Sequence, residues 1–92
     1  MAAETLPPNT VTEVLSYNPL RKFGAVFNGS GSEFLYWSFI NQNVDDTNGM
    51  PLPPLGTITM GSERADRELS KIPLYIFNPS TSSVEIRKEE II

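Results

Sequence analysis

The sequence predicts an all-β protein, a small antiparallel β-sandwich or jelly-roll-like barrel of about six to seven short strands. Apolar and polar residues alternate along several short segments, as expected for half-buried strands. These segments are rich in aromatic and β-branched residues, which favour strands. Most of the eight prolines and six glycines in this 92-residue chain lie between the segments, where tight turns need them.

Length and composition predict one domain. A chain of 92 residues leaves no room for a second domain, and 39% hydrophobic residues with a net charge of −4 are typical of a globular chain. We expect residues 1–9 to form an extended N-terminal arm, because Pro7-Pro8 favours polyproline geometry and excludes a helix. Residues 10–92 then form the single sandwich domain. We identify no internal repeat.

The segment 17–40 carries the clearest strand signals. Asn18-Pro19 favours a turn, because proline fixes its own φ and moves the preceding residue out of the helical region. The strand that follows alternates between two faces, and Asn28-Gly29 is typical of the positive φ angles of a tight hairpin. We therefore predict a central hairpin of strands 21–28 and 33–40.

The other predicted strands are shorter or lie near the C-terminus. Residues 10–16 predict an edge strand, in which Glu13 opposes pairing with other chains. Residues 50–52 and 57–60 predict two short strands, and the charged segment 61–70 predicts a long solvated loop with room for one helical turn. The last predicted feature is a hairpin of strands 72–77 and 83–89, with Val84 and Ile86 facing the core and Glu85 and Arg87 facing water.

The predicted strand 33–40 is apolar on both faces. Phe34, Tyr36 and Ile40 share one face, and Leu35, Trp37 and Phe39 share the other. A two-layer sandwich covers only one face of each sheet, so an outward aromatic face predicts contact with another chain. Rings such as Trp37, Tyr36, Phe34 and Tyr75 also suit a sugar-binding platform, although burial in the core is the favoured interpretation of most of them.

The residue types present argue against an enzyme. The chain has no cysteine and no histidine, which removes thiol nucleophiles, the commonest general base and the commonest metal ligands. The segment 45–49 does not fit a calcium loop, because aligning Gly49 with the conserved glycine places Val44 and Leu55 at ligand positions. We therefore predict no catalytic site, no cofactor and no metal.

Charge and hydropathy also limit the partners. Seven basic residues are scattered among eleven acidic ones, so no basic stripe is present to bind nucleic acid. No segment approaches the ~20 apolar residues that cross a membrane. The N-terminal segment lacks the pattern of a secretory signal, which predicts a protein that works in, or assembles from, the cytoplasm of the cell that produces it.

Two parts of the chain are candidates for structural or partner contacts. Arg21 follows the Asn18-Pro19 turn, and its planar guanidinium suits bridging carbonyls or a carboxylate. We therefore expect Asn18, Pro19 and Arg21 to form a turn that determines the fold. Partner contacts are expected instead along the arm, at aromatic residues and at the apolar C-terminus. These interface candidates are Leu6, Pro7, Pro8, Tyr17, Tyr36, Trp37, Ile91 and Ile92.

Over residues 14–88 the sequence resembles a group of small virion proteins of tailed bacteriophages. The resemblance rests on an Asn-Pro-x-Arg turn before a strand, an Asn/Gly/Ser turn, an aromatic strand, and later elements in the same order. The matching segments are Asn18–Arg21, Asn28–Gly31, Glu33–Ile40, Asn48–Leu52, Pro53–Gly56, Leu74–Phe77 and Ser82–Ile86.

The resemblance implies a non-enzymatic structural protein on the capsid surface of a virion, of the decoration or cement type. It implies the major capsid protein or another virion protein as partner, and a homo-oligomer, with a trimer favoured. Two alternatives remain open. One is an accessory protein of the neck, tail or fibre, and the other is a glycan- or receptor-binding module.

Overall fold

The computed structural model describes residues 2–39, 41–60 and 71–92. The predicted loop 61–70 and Ile40 lie outside the described residues. Eight strands are present in the described ranges: β1 (Ala2–Leu6), β2 (Thr10–Leu15), β3 (Phe23–Asn28), β4 (Leu35–Ser38), β5 (Met50–Leu52), β6 (Thr57–Met60), β7 (Leu74–Asn78) and β8 (Val84–Ile91). The all-β prediction is confirmed, with more strands than the six or seven expected.

The strands form two antiparallel sheets of four. Sheet A has the order β1-β8-β3-β6, and sheet B has the order β2-β7-β4-β5. The pairs β1–β8, β2–β7, β3–β6 and β4–β5 are nested like one long hairpin, and the pairs β3–β8 and β4–β7 roll that hairpin into two layers. This is the strand order of a jelly roll, which is the more specific of the two predicted architectures.

Both predicted hairpins are wrong. Strand β3 belongs to sheet A and β4 to sheet B, while β7 belongs to sheet B and β8 to sheet A, so each connection crosses between the layers. No described glycine has a positive φ, and Asn28-Gly29 is therefore not a tight hairpin turn. Gly29 is required for space instead, because a Cβ there would lie 2.7 Å from the carbonyl oxygen of Glu85.

The segment expected as an arm contains β1. Residues Ala2–Leu6 pair with β8 along the edge of sheet A, from Ala2 opposite Lys88 to Leu6 opposite Val84. The side chain of Leu6 is fully buried. On the same side of the sandwich, β2 forms the edge of sheet B, as predicted for residues 10–16.

The core lies between the sheets and follows the period-two alternation of the strands. Val84 and Ile86 face inward while Glu85 and Arg87 face solvent, as predicted. Trp37 and Phe39 pack against the core from its margin. The buried apolar cluster comprises Leu6, Val14, Leu15, Val26, Leu35, Leu52, Ile58, Met60, Leu74, Ile76, Val84 and Ile86.

The structure reveals an internal repeat, contrary to the sequence interpretation. Leu-Pro-Pro ends β1 at residues 6–8 and ends β5 at residues 52–54. The pattern Phe-Asn-x-Ser-x-Ser begins with the last two residues of β3, at residues 27–32, and with the last two residues of β7, at residues 77–82. The halves β1–β4 and β5–β8 therefore share both turn sequences and their places in the fold.

The two halves hold each other through equivalent hydrogen bonds. The Nδ2 of Asn28 donates to Leu52 O and Pro53 O, both at 3.2 Å, and the Nδ2 of Asn78 donates to Leu6 O and Pro7 O, both at 3.2 Å. Each Oδ1 accepts a backbone N–H two residues later at 3.0 Å, from Ser30 or Ser80. Each asparagine thus fixes its own crossover and the Leu-Pro-Pro turn of the opposite half.

A strained turn residue repeats as well. Asn9 has a φ of 51° and Leu55 a φ of 61°, the left-handed region that few non-glycine residues adopt. The N–H of Asn9 donates to Ser80 O at 3.2 Å, and that of Leu55 donates to Ser30 O at 3.1 Å. These bonds hold the same turn in both halves, although of the two residues only asparagine commonly adopts a left-handed φ.

Candidate interaction surface

The outer face of sheet B carries a row of apolar and aromatic side chains across all four strands. The register places Val11 opposite Phe77, Phe77 opposite Tyr36, and Tyr36 opposite Pro51. Phe34, the residue before β4, is 47% exposed at the start of the same strand. We call this surface, comprising Val11, Phe34, Tyr36, Pro51, Tyr75 and Phe77, the aromatic face.

A second row gives the aromatic face a polar border. Here the register places Glu13 opposite Tyr75 and Tyr75 opposite Ser38. Partial burial raises the pKa of the Tyr75 phenol, and its hydrogen bond to the Glu13 carboxylate and the negative charge of that group raise it further. The face therefore combines flat rings with one carboxylate and one hydroxyl.

We expect Tyr75 to titrate above the ordinary tyrosine value of about 10. Because the folded-state pKa is the higher one, its contribution to stability is complete below pH ~10 and is lost as the pH rises through the folded-state value. Replacement Glu13→Gln lowers the Tyr75 pKa part of the way, since the effect of burial remains. Ultraviolet titration of tyrosinate, with Tyr75→Phe to assign the step, measures this shift. A Tyr75 titration that does not move in Glu13→Gln would contradict the contact.

The structure separates two aromatic residues that the sequence grouped as interface candidates. Tyr36 points outward on the aromatic face, whereas Trp37 points toward the core and packs edge-on against Phe39, with ring centroids 4.9 Å apart. The predicted alternation of the strand is therefore confirmed. A single platform that contains both Tyr36 and Trp37 is not formed.

The remaining interface candidates lie at opposite ends of the sandwich. Leu6 belongs to the core, and Pro7 and Pro8 are exposed at the end where the two asparagine crossovers lie. Ile91 and Ile92 are exposed at the other end. Tyr17 precedes the turn at that second end and has 63% of its surface exposed, and Leu20 in the turn is also exposed.

Arg21 closes this second end of the sandwich. Its side chain is fully buried and donates to Ser16 O at 2.8 Å, to Ile72 O at 2.6 Å and to Glu90 Oε1 at 2.9 Å. The guanidinium therefore ties the turn before β3 to the approach to β7 and to the end of β8. This geometry agrees with the structural role expected from the sequence.

A second ion pair, between Lys88 and Glu4, is partly buried, with both side chains about 30% exposed. The Nζ of Lys88 donates to Val14 O at 2.9 Å and contacts Glu4 Oε1 at 2.8 Å. It links β8 to β1 within sheet A and to β2 in sheet B. Lys88 thus donates a hydrogen bond to the backbone carbonyl of Val14, as Arg21 does to those of Ser16 and Ile72.

The acidic segment 45–49 is a turn. The Oδ1 of Asp45 accepts the N–H groups of Thr47 and Asn48 and the Thr47 hydroxyl at 2.7–3.0 Å. The hydrogen bond from the Thr47 hydroxyl has the largest effect and lowers the pKa of Asp45, and the bond from the Thr47 N–H lowers it further. Within residues 2–39, 41–60 and 71–92 no cluster of three or more His, Cys, Asp or Glu is placed to hold a metal ion.

Sequence interpretation missed several residues of these surfaces. Val11 and Phe77 were assigned to strands, but nothing local indicated that they flank Tyr36. The repeated Phe-Asn-x-Ser-x-Ser pattern was the available signal for the buried roles of Asn28 and Asn78. Leu20, exposed beside Tyr17, carries no distinctive sequence signal.

The described part of the chain contains no helix long and apolar enough to span a membrane. Comparison of the chain with protein-family models, curated proteins and solved structures finds no match.

Proposed function

We propose that this protein is a non-enzymatic structural component of a phage virion. In this role it is a decoration or cement protein that binds across junctions of the major capsid protein and stabilises the head. The aromatic face is the observation that carries the proposal. It supplies a continuous apolar row across one whole sheet, on the outer side that the described strands do not cover.

The composition of the aromatic face suits a protein partner. Aromatic residues dominate the centres of protein interfaces, where they bury large area with little loss of side-chain entropy. The row Val11–Phe77–Tyr36–Pro51 carries no charge, and the carboxylate of Glu13 lies at its border. A shell protein with a flat apolar patch and a polar margin would complement this arrangement.

The ends of the sandwich supply further contacts. Tyr17, Leu20, Ile91 and Ile92 are exposed apolar residues toward one end, and Pro7 and Pro8 lie at the other. A trimer at a three-fold site of the shell would present several such contacts at once. Weak contacts then act together, because each attachment raises the effective concentration of the next.

The chemistry of the chain supports a binding role over catalysis. The whole sequence lacks histidine and cysteine. The buried polar side chains Arg21, Asn28 and Asn78 all bond backbone carbonyls of the chain itself. They are therefore structural residues.

Removing rings from the aromatic face is expected to weaken attachment to particles about tenfold or more, as loss of an interface hot spot does. The variant is Phe34→Ser with Tyr36→Ser, and the measurement is co-sedimentation of purified protein with particles that lack it. The matched control is Phe23→Ser with Phe27→Ser, which removes two half-buried rings from the outer face of sheet A. Equal loss in both variants would contradict the assignment of the aromatic face.

A glycan-binding module is the second candidate function. Rings next to a carboxylate and a hydroxyl, as in Tyr36 and Tyr75 beside Glu13 and Ser38, are the groups that stack on and hydrogen-bond sugars. Saturable binding of soluble oligosaccharides, lost in the Phe34/Tyr36 variant, would favour this candidate over the capsid role.

A further inference from the structure

A groove opens into the core on the side of the sandwich away from β1 and β2. Its walls are the two edge strands, β5 of sheet B and β6 of sheet A. The cavity has a volume of about 390 Å³ and its floor includes Trp37, Phe39, Leu52, Ile58 and Met60. We call it the β5–β6 groove.

The edge of β6 offers unpaired backbone groups beside this cavity. Strand β6 pairs with β3 alone among the described strands, in a register where Ile58 is opposite Val26 and Met60 opposite Gly24. The bond from Asn28 N to Gly56 O at 2.9 Å fixes which pairs are hydrogen-bonded, because they alternate along an antiparallel ladder. Ile58 and Met60 therefore bond β3, and the N–H and C=O groups of Thr57 and Thr59 point toward the groove side.

Among the described residues, this edge has none of the usual protection against strand pairing. Residues 50–60 contain no charged residue, whereas the opposite edges carry Glu4 on β1 and Glu13 on β2. Pro51 protects β5, since it has no N–H to donate, but β6 has neither a proline nor a charge. Of these two neighbouring edges, β6 is the one that the described residues leave without a partner strand, a proline or a charge.

We infer that the β5–β6 groove binds an extended peptide segment of another protein by strand addition to β6. In such a site the main-chain bonds supply affinity and an adjacent pocket selects alternate side chains. Thr57 and Thr59 would pair with the segment, and an apolar side chain of the segment would enter the cavity. A segment without acidic residues is favoured, because the chain carries a net charge of −4.

A separate peptide segment fits the groove better than the β6 edge of a second copy. In a second copy, the inward side chains of β6 are Ile58 and Met60, which are already buried in its own core. That edge would pair with Thr57 and Thr59 but would leave the cavity empty. A free segment can place one row of its side chains between the sheets. The inference is independent of the virion role, because it depends only on the edge and the cavity.

The test uses the whole chain and a short blocked peptide that alternates valine and threonine. Amide chemical shifts and hydrogen exchange of Thr57 and Thr59 are followed by NMR as the peptide is added. Thr59→Pro removes one outward N–H without removing a bond to β3, and Thr59→Val is the control that keeps this N–H. We expect saturable shifts and slowed exchange in the wild type and in Thr59→Val, and loss of both in Thr59→Pro with the fold retained.

Three results would overturn the inference. One is the absence of saturable shifts in the wild type at millimolar peptide. The second is protection of the Thr57 and Thr59 amides in the dilute monomer before peptide is added, which would mean that the chain already covers this edge. The third is protection that rises with protein concentration alongside dimer formation in sedimentation, which would make a second copy the occupant.

Discussion

Replacing either crossover asparagine by alanine is expected to lower the free energy of unfolding by about 3 kcal/mol, which is a large part of the total for a small domain. Asn28 and Asn78 are both fully buried. Each shares the two hydrogens of its Nδ2 among three backbone carbonyls, two of them in the turn of the opposite half. Alanine removes the Nδ2 donor from all three carbonyls, although Pro53 O still accepts the N–H of Gly56 at 2.9 Å.

The equivalence of the two sites makes the prediction specific. Asn28→Ala and Asn78→Ala should have similar effects, although the crossovers lie in different halves of the chain. The control is Asn18→Ala, where the half-buried side chain accepts the N–H of Leu20 and the expected cost is about 0.5–1 kcal/mol. Denaturant unfolding of the three variants measures the differences. A large effect at one buried asparagine and none at the other would contradict the reciprocal arrangement.

Replacing Arg21 by methionine is expected to cost about 3 kcal/mol of unfolding free energy. Methionine fills much of the volume, but Ser16 O and Ile72 O lose their charged donor. Glu90 contributes less to this cost, because its side chain is 37% exposed and regains water when the guanidinium is lost.

Two further variants separate the contacts of Arg21 from its charge. Arg21→Lys keeps the charge but lacks the planar fork that reaches both carbonyls, so we expect it to restore only part of the lost stability. Arg87→Met removes an arginine that is 58% exposed and lies 3.8 Å from Glu85, and should change stability by less than about 0.5 kcal/mol. If Arg21→Met unfolds at the same denaturant concentration as Arg87→Met, Arg21 does not close the core.

Local alternation was sufficient to predict the strands and most of their faces. The period of two assigned Leu35 and Trp37 to one face of the strand and Phe34 and Tyr36 to the other. In β4 of the structure, Leu35 and Trp37 face the core and Tyr36 between them faces outward. It also assigned Val84 and Ile86 to the core. These predictions succeed because the face of a strand residue depends only on its position in the strand, not on the partner strand.

The connections between strands were not predictable from local signals. Asn28-Gly29 and Asn78-Pro79 have turn chemistry, but that chemistry does not determine which sheet the next strand enters. The decisive bonds join Asn28 to a turn 24 and 25 residues away and Asn78 to one 71 and 72 residues away. Sequence interpretation by short windows therefore assigned hairpins where the chain crosses between sheets.

The candidate interaction surface was predicted only in part, because it too depends on contacts between distant segments. The unusual apolar character of both faces of strand 33–40 pointed to an outward aromatic surface. The place of Val11, Phe77 and Pro51 beside Tyr36 depends on strand register between distant segments. The sequence also grouped Trp37 with Tyr36, because aromatic content alone does not distinguish a margin of the core from a surface.

The capsid proposal is tested most directly by the copy number of this chain relative to the major capsid protein in purified virus particles. Quantitative mass spectrometry of particles from the producing host gives this ratio. The proposal predicts parity or a fixed simple fraction, as expected for a protein that occupies every equivalent junction of a shell. A few copies per particle would move the chain to the neck, tail or fibre, and its absence from particles would contradict the virion role itself.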